Sequence, residues 1–252
     1  MVWQETTEVA VIVMLTQISE AGHEKCFQYF PADTIDDILI DNEVDGFKAQ
    51  IRLLELTTDE SERITTRKLL MTVKDESRII WHLAFSGWPD FGVPEDGDRL
   101  ALFELLKMST EKNGLPENPR IVHCSAGVGR SGTFIALDHL LAELDAGAVT
   151  TTEDEDDMIF NTVNKLREQR MMMVQSDAQF LFLYDVLKNR FEGEQAIGVP
   201  SPLSTDAHSE TTESSSERSP KVARLARAVD AVTVDYSGKQ PETGSVVPIG
   251  SS

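Results

Sequence analysis

The chain has 252 residues, of which 40% are hydrophobic and 26% are charged, and its net charge is −20. Such a composition is typical of a soluble globular protein that can bury a core without disulfides. The acidic excess repels nucleic acid and anionic membrane surfaces, so we expect neither as a partner. Two cysteines are too few for a disulfide framework, and the N-terminus lacks the pattern of a secretory signal. We therefore predict a reduced setting in the cytoplasm, or also in the nucleus, without membrane insertion.

Strand patterns dominate the first part of the chain. Val9–Leu15 is a continuous apolar and largely β-branched run, which is typical of a buried strand. Phe47–Leu56 alternates between apolar and polar residues, which indicates a half-buried strand. Ile64–Val73 and Arg78–Phe85 are further strand candidates.

The hydrophobic period becomes helical further along, with Leu100, Phe103 and Leu106 on one helical face. The predicted elements are a helix over Asp98–Met108, a short strand over Arg120–His123, and helices over Ser131–Leu144, Met158–Gln169 and Asp177–Arg190. Strands that come first and helices that come later predict a mixed α/β (α+β) fold. In it, a central twisted mixed sheet is flanked by helices.

The composition changes again near residue 195. Ser, Thr, Glu and Pro dominate and apolar residues become few, so we predict a folded domain over residues 1–194 and a disordered tail over 195–252. Within that tail, Lys221–Val232 has the pattern of a short basic amphipathic helix, and Ser219-Pro220 beside Arg218 is a candidate kinase target.

The segment Arg120–Phe134, RIVHCSAGVGRSGTF, carries the chemistry. A short strand delivers Cys124 into a loop in which Gly127 and Gly129 provide φ values closed to most residues. The N–H groups of such a loop converge as an anion-binding nest, and the following helix aims its N-terminus at the same point. This surrounding binds a phosphate dianion and favours the thiolate of Cys124, a nucleophile for phosphorus. Arg130 can hold two phosphate oxygens with its planar fork.

The ten residues HCSAGVGRSG, from His123 to Gly132, resemble the signature loop of non-receptor-type protein tyrosine phosphatases. The resemblance implies that Cys124 is the nucleophile and that Arg130 binds the phosphate. It also implies that Ser131 donates its hydroxyl to the thiolate and that His123 tunes the loop by hydrogen bonding. The other substrate-binding positions that it implies are Ser125, Ala126, Gly127, Val128 and Gly129.

Two further segments resemble the same family. Trp88–Pro94, WPDFGVP, is similar to its mobile general-acid loop, which implies that Asp90 protonates the leaving group and that Trp88 shapes the hinge. Glu20–Tyr29 is similar to the segment before the central strands. There, Lys25 matches a lysine that contacts the acid loop, and Glu20 matches a carboxylate that orients the signature arginine.

The segment Gln175–Gln179, QSDAQ, resembles the glutamine loop of the family. The resemblance implies that Gln175 positions the hydrolytic water and that Gln179 lies nearby. Arg167 and Arg170 match basic positions that support this region. The family needs no metal or other cofactor, and the histidines show no metal-like spacing. We expect Cys26 to be a small buried residue.

The resemblance covers residues 1 to about 192 and begins part-way into the family's domain. We find no counterpart of the loop that, in the family, supplies an aromatic clamp for the phosphotyrosine ring. We therefore expect Trp3 and Val9–Leu15 to form an exposed apolar patch.

Three functions stay open. The first is a monomeric phosphatase that hydrolyses phosphotyrosine in proteins through a phosphocysteine. The second is a catalytically impaired phosphotyrosine-binding or scaffold protein, because of the absent recognition loop. The third is a phosphatase of broader specificity, which acts on phosphoserine, phosphothreonine or lipid phosphates.

Overall fold

The computed structural model describes residues 1–147 and 157–196. The helices are α1 (Val2–Glu5), α2 (Asp96–Asn113), α3 (Gly129–Asp145), α4 (Met158–Gln169) and α5 (Asp177–Ala196). The strands are β1 (Val9–Met14), β2 (Ser19–Glu20), β3 (His23–Glu24), β4 (Ile38–Asn42), β5 (Phe47–Thr58), β6 (Ile64–Val73), β7 (Glu76–Phe85) and β8 (Ile121–His123). Within the described ranges, no helix combines the length and the apolar character that a membrane span needs.

Six of these strands form one mixed sheet in the order β4-β5-β6-β7-β1-β8. The strands from β4 to β7 pair antiparallel, whereas β1 runs parallel to both β7 and β8. The register pairs Met14 with His123, so the carboxyl ends of β1 and β8 lie side by side. The predicted mixed sheet with flanking helices is confirmed.

Strand β1 separates two hydrophobic clusters because its side chains alternate between the two sides of the sheet. Val11, Val13 and Leu15 pack with residues of α2, α3, α4 and α5 on what we call the first face. Ala10, Ile12 and Met14 pack with Phe30 and neighbouring strand residues on the second face, which α1 partly covers.

The expected exposed patch at the start of the chain is wrong. Ala10–Leu15 are between 0% and 6% exposed, and Trp3 is half-buried. The reason is that α2 to α5 cover one face of β1. On the other face α1 lies against the sheet, where Nη1 of Arg78 donates to the carbonyl oxygens of Val2, Trp3 and Thr6 at 3.2, 2.9 and 2.6 Å. The Arg78 guanidinium also lies 4.3 Å from the centre of the Trp3 ring.

The predicted strands and helices all occur; β6 and α4 have the predicted ends and the others have changed ends, while α1, β2, β3 and β4 were not predicted. Helix α2 turns a different face to the core than expected, because Leu100 is 71% exposed while Leu102 and Leu105 are fully buried. Helix α5 continues to Ala196, so residues 195 and 196 are helical and do not belong to the predicted tail. The Ser219-Pro220 and Lys221–Val232 predictions lie outside the described residues.

Candidate active site

The signature loop connects the end of β8 to the start of α3. Cys124 follows His123 directly and is 7% exposed. The amide of Gly127 donates a hydrogen bond to the Cys124 sulfur at 3.2 Å, and Gly127 has a φ of 72°. Glycine adopts this left-handed conformation without the steric penalty of a side chain, so this turn can bring a backbone donor to the sulfur.

Gly129 serves a different purpose from the one that the sequence predicts. Gly129 has no positive φ. A Cβ at this position would lie 3.1 Å from Oε1 of Gln179 and 3.2 Å from Oε1 of Gln175. The glycine therefore allows the glutamine loop to approach the first turn of α3.

The other loop positions differ in exposure. Ser125 and Ala126 are exposed, whereas Gly127 and Val128 are half-buried. The hydroxyl of Ser131 is buried and has no hydrogen-bond partner, so its assistance to the thiolate stays a prediction.

Arg130 is 2% exposed and is held by several acceptors. Its Nη1 and Nη2 donate to the two carboxylate oxygens of Glu20 at 2.6 and 2.7 Å, and Nη1 also donates to the Leu15 carbonyl at 3.0 Å. Nη2 lies 2.7 Å from Oδ1 of Asp90. The bidentate pair between Arg130 and Glu20 fixes the plane of the Arg130 guanidinium. Burial opposes its charge, but the hydrogen bonds to Glu20 and Asp90 raise the pKa of Arg130.

Glu20 is itself oriented by its neighbours. Its Oε1 accepts hydrogen bonds from the Thr16 hydroxyl at 2.9 Å and from the Gln17 amide at 3.1 Å. Burial favours the neutral acid, but the hydrogen bonds from Arg130, Gln17 and Thr16 outweigh it and lower the pKa of Glu20. Thr16 was not singled out in the sequence, where a threonine after a strand carries no specific signal.

The acid loop places Asp90 beside two cationic side chains, those of Lys25 and Arg130. Lys25 Nζ lies 2.6 Å from Oδ2 of Asp90, while Arg130 contacts the other oxygen. The hydrogen bond from Lys25 is the main reason why the pKa of Asp90 is lowered; burial opposes it, and Arg130 adds to it. Trp88 is 3% exposed and donates its indole N–H to the Gly92 carbonyl at 3.0 Å, which closes the loop on itself.

The glutamine loop between α4 and α5 packs on the start of α3. Gln179 is 1% exposed, and its Oε1 accepts hydrogen bonds from the amides of Gln175 at 3.1 Å and Ser176 at 3.3 Å. The side chain of Gln175 reaches the Gly129 position, although Gln175 itself is exposed. Met172 and Val174 have φ values of 70° and 58° in this loop.

Arg167 and Arg170 support the same region. Arg167 donates to the carbonyl oxygens of Met173 and Val174 at 3.0 and 2.9 Å. Arg170 donates to the Ala126 carbonyl of the signature loop at 3.2 Å. The two arginines therefore hold the glutamine loop and connect it to the nucleophile loop.

The sequence does not reveal why the site needs a glycine at Gly132. A Cβ here would lie 2.5 Å from the Val174 amide nitrogen, which no real structure tolerates without movement. That amide donates to the Val128 carbonyl at 3.2 Å. The sequence did contain a signal for Gly132, because it ends the ten-residue motif. The residue that it approaches, Val174, is far away along the chain.

The site brings together Cys124, Arg130, Asp90 and Gln175, as the resemblance implies. Cys26 is half-buried, not buried as expected, and its thiol contacts the Phe27 carbonyl at 3.3 Å. Within residues 1–147 and 157–196, no three His, Cys, Asp or Glu side chains are grouped so that they could hold a metal ion.

A family model described as "Protein-tyrosine phosphatase" matches residues 1–189. The chain belongs to the protein-tyrosine phosphatase family. It is 36% identical over 203 residues to tyrosine-protein phosphatase 2 of Schizosaccharomyces pombe. That alignment covers 79% of this chain and 27% of the relative. It is 37% identical over 187 residues to the human receptor-type tyrosine-protein phosphatase eta, covering 73% of this chain and 12% of the relative. The chain thus spans about a quarter or less of these two relatives.

Solved phosphatase structures share the fold. The catalytic domain of human protein tyrosine phosphatase non-receptor type 18 superposes with a TM-score of 0.63 at 29% identity, covering 75% of this chain and 62% of that one. A protein tyrosine phosphatase of Trypanosoma cruzi gives a TM-score of 0.64 at 27% identity, covering 73% and 61%.

Proposed function

We propose that this chain hydrolyses phosphotyrosine in proteins, with Cys124 as the nucleophile and Asp90 as the general acid. The observation that carries the proposal is the position of one guanidinium. Arg130 belongs to the loop whose Gly127 amide donates to the Cys124 sulfur, and its Nη2 lies 2.7 Å from the Asp90 carboxylate. A phosphate bound to Arg130 would therefore lie between the nucleophile and the acid.

The reaction has two steps. In the first, the Cys124 sulfur forms a bond to phosphorus while the bond to the tyrosyl oxygen breaks, and Asp90 gives its proton to that oxygen. In the second, a water molecule oriented by Gln175 attacks phosphorus, the ionised Asp90 takes a proton from it, and the phosphorus–sulfur bond breaks. Free phosphate and the thiolate result. Arg130 and the backbone N–H groups of the loop stabilise the charge on the phosphoryl oxygens.

Substrate binding changes the protonation of Asp90. In the free protein, the contacts with Lys25 and Arg130 lower its pKa, so Asp90 is ionised at neutral pH. A phosphate dianion competes for Arg130 and places negative charge beside Asp90, and both effects raise the pKa of that carboxyl. The substrate thereby produces the acid that its own leaving group needs.

The partners follow from the same chemistry. PTPN18, a protein of similar fold, has been solved in complex with HER2 phospho-peptides. By analogy, we propose phosphotyrosine-containing proteins as the substrates of this chain. Its monomeric state and its place in the cytoplasm stay predictions.

The test compares the full chain with two variants on a phosphotyrosine peptide and on the same peptide with phosphoserine. We expect phosphate release from phosphotyrosine, none after Cys124→Ser, and a kcat that is roughly 10²- to 10⁴-fold lower after Asp90→Asn, with little change in KM. Cys26→Ser is the matched control, because it removes the other free thiol. Peptide binding without turnover by the folded wild type would favour the scaffold function, and equal rates on both peptides would favour broad specificity.

A further inference from the structure

A series of hydrogen-bonded polar side chains connects the second face of the sheet to the backbone of the nucleophile. The Tyr29 hydroxyl lies 2.9 Å from Nε2 of His82 and 2.6 Å from Nε2 of His123. On its other side, the His123 ring has Nδ1 at 3.2 Å from the carbonyl oxygen of Cys124. His82, which the sequence did not associate with the site, is therefore two hydrogen bonds away from the residue that precedes the nucleophile.

His82 is a neutral imidazole. It is fully buried on β7, and the Phe30 ring lies 4.4 Å away between ring centres, tilted by 37°. Burial, then the charge of Arg67 and then His123 lower the pKa of His82 from the usual 6.5 to about 3. Arg67 is its cross-strand neighbour on β6. A neutral imidazole carries one N–H and one lone pair, so His82 donates at one nitrogen and can accept at the other.

The surroundings of His82 indicate which nitrogen carries the proton. Its Nδ1 is buried and has no hydrogen-bond partner. An N–H left without an acceptor in the interior is rarer than an unpaired acceptor, and the nearby Arg67 cation favours a lone pair over a second positive hydrogen. The proton therefore belongs on Nε2, where it is donated to the oxygen of Tyr29.

This assignment sets the direction of the remaining hydrogen bonds. Burial raises the pKa of Tyr29, so it keeps its proton. Because its oxygen accepts from His82, the hydroxyl donates to Nε2 of His123. His123 then carries its own proton on Nδ1 and donates it to the Cys124 carbonyl. The opposite direction would place the Nδ1 lone pair against that carbonyl oxygen at 3.2 Å, which is repulsive.

We propose that His82 and Tyr29 are positioning residues that hold His123 as the tautomer with its proton on Nδ1. His123 thereby fixes the Cys124 carbonyl and the first peptide plane of the signature loop. The C=O and N–H of one planar peptide unit point in opposite directions, so a donor on the carbonyl also fixes the Ser125 N–H. The importance of this orientation for turnover rests on the proposed phosphatase function, whereas the tautomer does not.

The direct test is nitrogen-15 NMR of the imidazole rings in the full chain. At pH 7, we expect His82 to be neutral with its proton on Nε2 and His123 to be neutral with its proton on Nδ1. A His123 ring that is protonated on Nε2 in the wild type overturns the proposal, whether or not the chain is an active phosphatase.

Variants test the effect on the loop. After Tyr29→Phe, we expect the pH midpoint for alkylation of Cys124 by iodoacetamide to rise by about half a unit to one unit, because the loop is less well fixed. Affinity for inorganic phosphate should fall about 3- to 10-fold. Tyr184→Phe is the matched control, since Tyr184 is a buried phenol that is likewise hydrogen-bonded to a side chain, that of Asp157. Equal shifts in both variants would indicate a general loss of stability and overturn the positioning role.

His82 offers a second comparison. His82→Gln keeps an N–H donor near the Nε2 position, so we expect it to retain the wild-type midpoint and the His123 tautomer. His82→Leu removes the donor, so we expect the same direction of change as Tyr29→Phe. Identical behaviour of the two His82 variants contradicts the proposed direction of the hydrogen bonds. Because alkylation and phosphate binding need no turnover, an inactive chain would leave this test intact.

Discussion

The two faces of the sheet contribute to the site in different ways. On the first face, α3 and α5 begin at the signature and glutamine loops, and α2 begins just after the acid loop, so helix packing itself sets the distances between the loops. The second face reaches the nucleophile through the side chains of Tyr29 and His123 and contains a cavity of about 380 Å³ beside α1. The first face thus positions backbone groups through helix packing, whereas the second face acts on the nucleophile loop through hydrogen-bonded side chains.

The close packing of α3 against the glutamine loop can be broken at Gly132. Gly132→Ala places a Cβ 2.5 Å from the Val174 amide, so backbone must move. We expect a loss of about 1 to 3 kcal/mol in the free energy of unfolding and a fall of at least about tenfold in kcat/KM. Urea denaturation and peptide turnover measure the two effects.

Gly97→Ala is the control for this change. Gly97 lies in the first turn of α2, and a Cβ there would meet nothing within 4 Å. We expect its stability to stay the same or to rise slightly, because alanine favours helix. If the two glycine variants behave alike, the packing of α3 against the glutamine loop does not set the site.

The second face can be examined through the pH dependence of stability. The pKa of His82 is about 3 in the folded protein against 6.5 normally, so the unfolded chain binds this proton first as the pH falls. The contribution of His82 is therefore complete above pH 6.5 and is lost progressively towards pH 3. We expect the wild type to lose up to about 1.4 kcal/mol per pH unit more than His82→Gln between pH 6.5 and 4.5.

Denaturant midpoints across this pH range measure the difference. Glu20 and Asp90, whose pKa values are lowered, lose their contributions mainly at lower pH and in both proteins alike. Parallel curves for wild type and variant would mean that His82 is not kept neutral by its burial.

The smallest effect is expected at the acid loop, which the segment after β3 holds through Lys25. Lys25→Met removes the main cause of the lowered pKa of Asp90, so the acid form persists to higher pH. We expect the alkaline limb of the kcat/KM profile to move up by less than about one unit. Lys48→Met is the matched control, because Lys48 also pairs with an aspartate at 2.6 Å, on β4. A downward shift of the limb contradicts the prediction.

The parts that could be predicted from the sequence are those with local causes. Gly127 adopts a positive φ, which allows the signature segment to turn tightly. The chemistry of this segment depends on residues that are neighbours in the chain. The buried strand β1 follows from the apolar run at Val9–Leu15. Helix α4 was predicted at its actual ends from its apolar period, and in the structure Asp157 caps it by accepting from the Ile159 and Phe160 amides.

The parts that could not be predicted depend on distant partners. In strand β4 an apolar residue, Leu39, occupies an exposed position (75%), so the sequence lacks the apolar and polar alternation that predicts a half-buried strand. The strand forms because it pairs with β5. Helix α1 has four residues, too few to be stable alone, and depends on Arg78. Tyr29, His82 and His123 come from three separate segments, so no spacing rule joins them.

The left-handed backbone at Val174 has a consequence for how this protein can change over time. A β-branched residue with a φ of 58° stores conformational energy of about 1 to 3 kcal/mol. It is retained because its amide bonds to the Val128 carbonyl and its side chain is fully buried on the first face. Replacement by glycine would relieve this strain, but it would also remove a fully buried side chain, whose burial contributes about 1.5 to 3 kcal/mol. The two effects are of similar size and opposite sign, so a change to glycine gains little stability and the left-handed valine can persist.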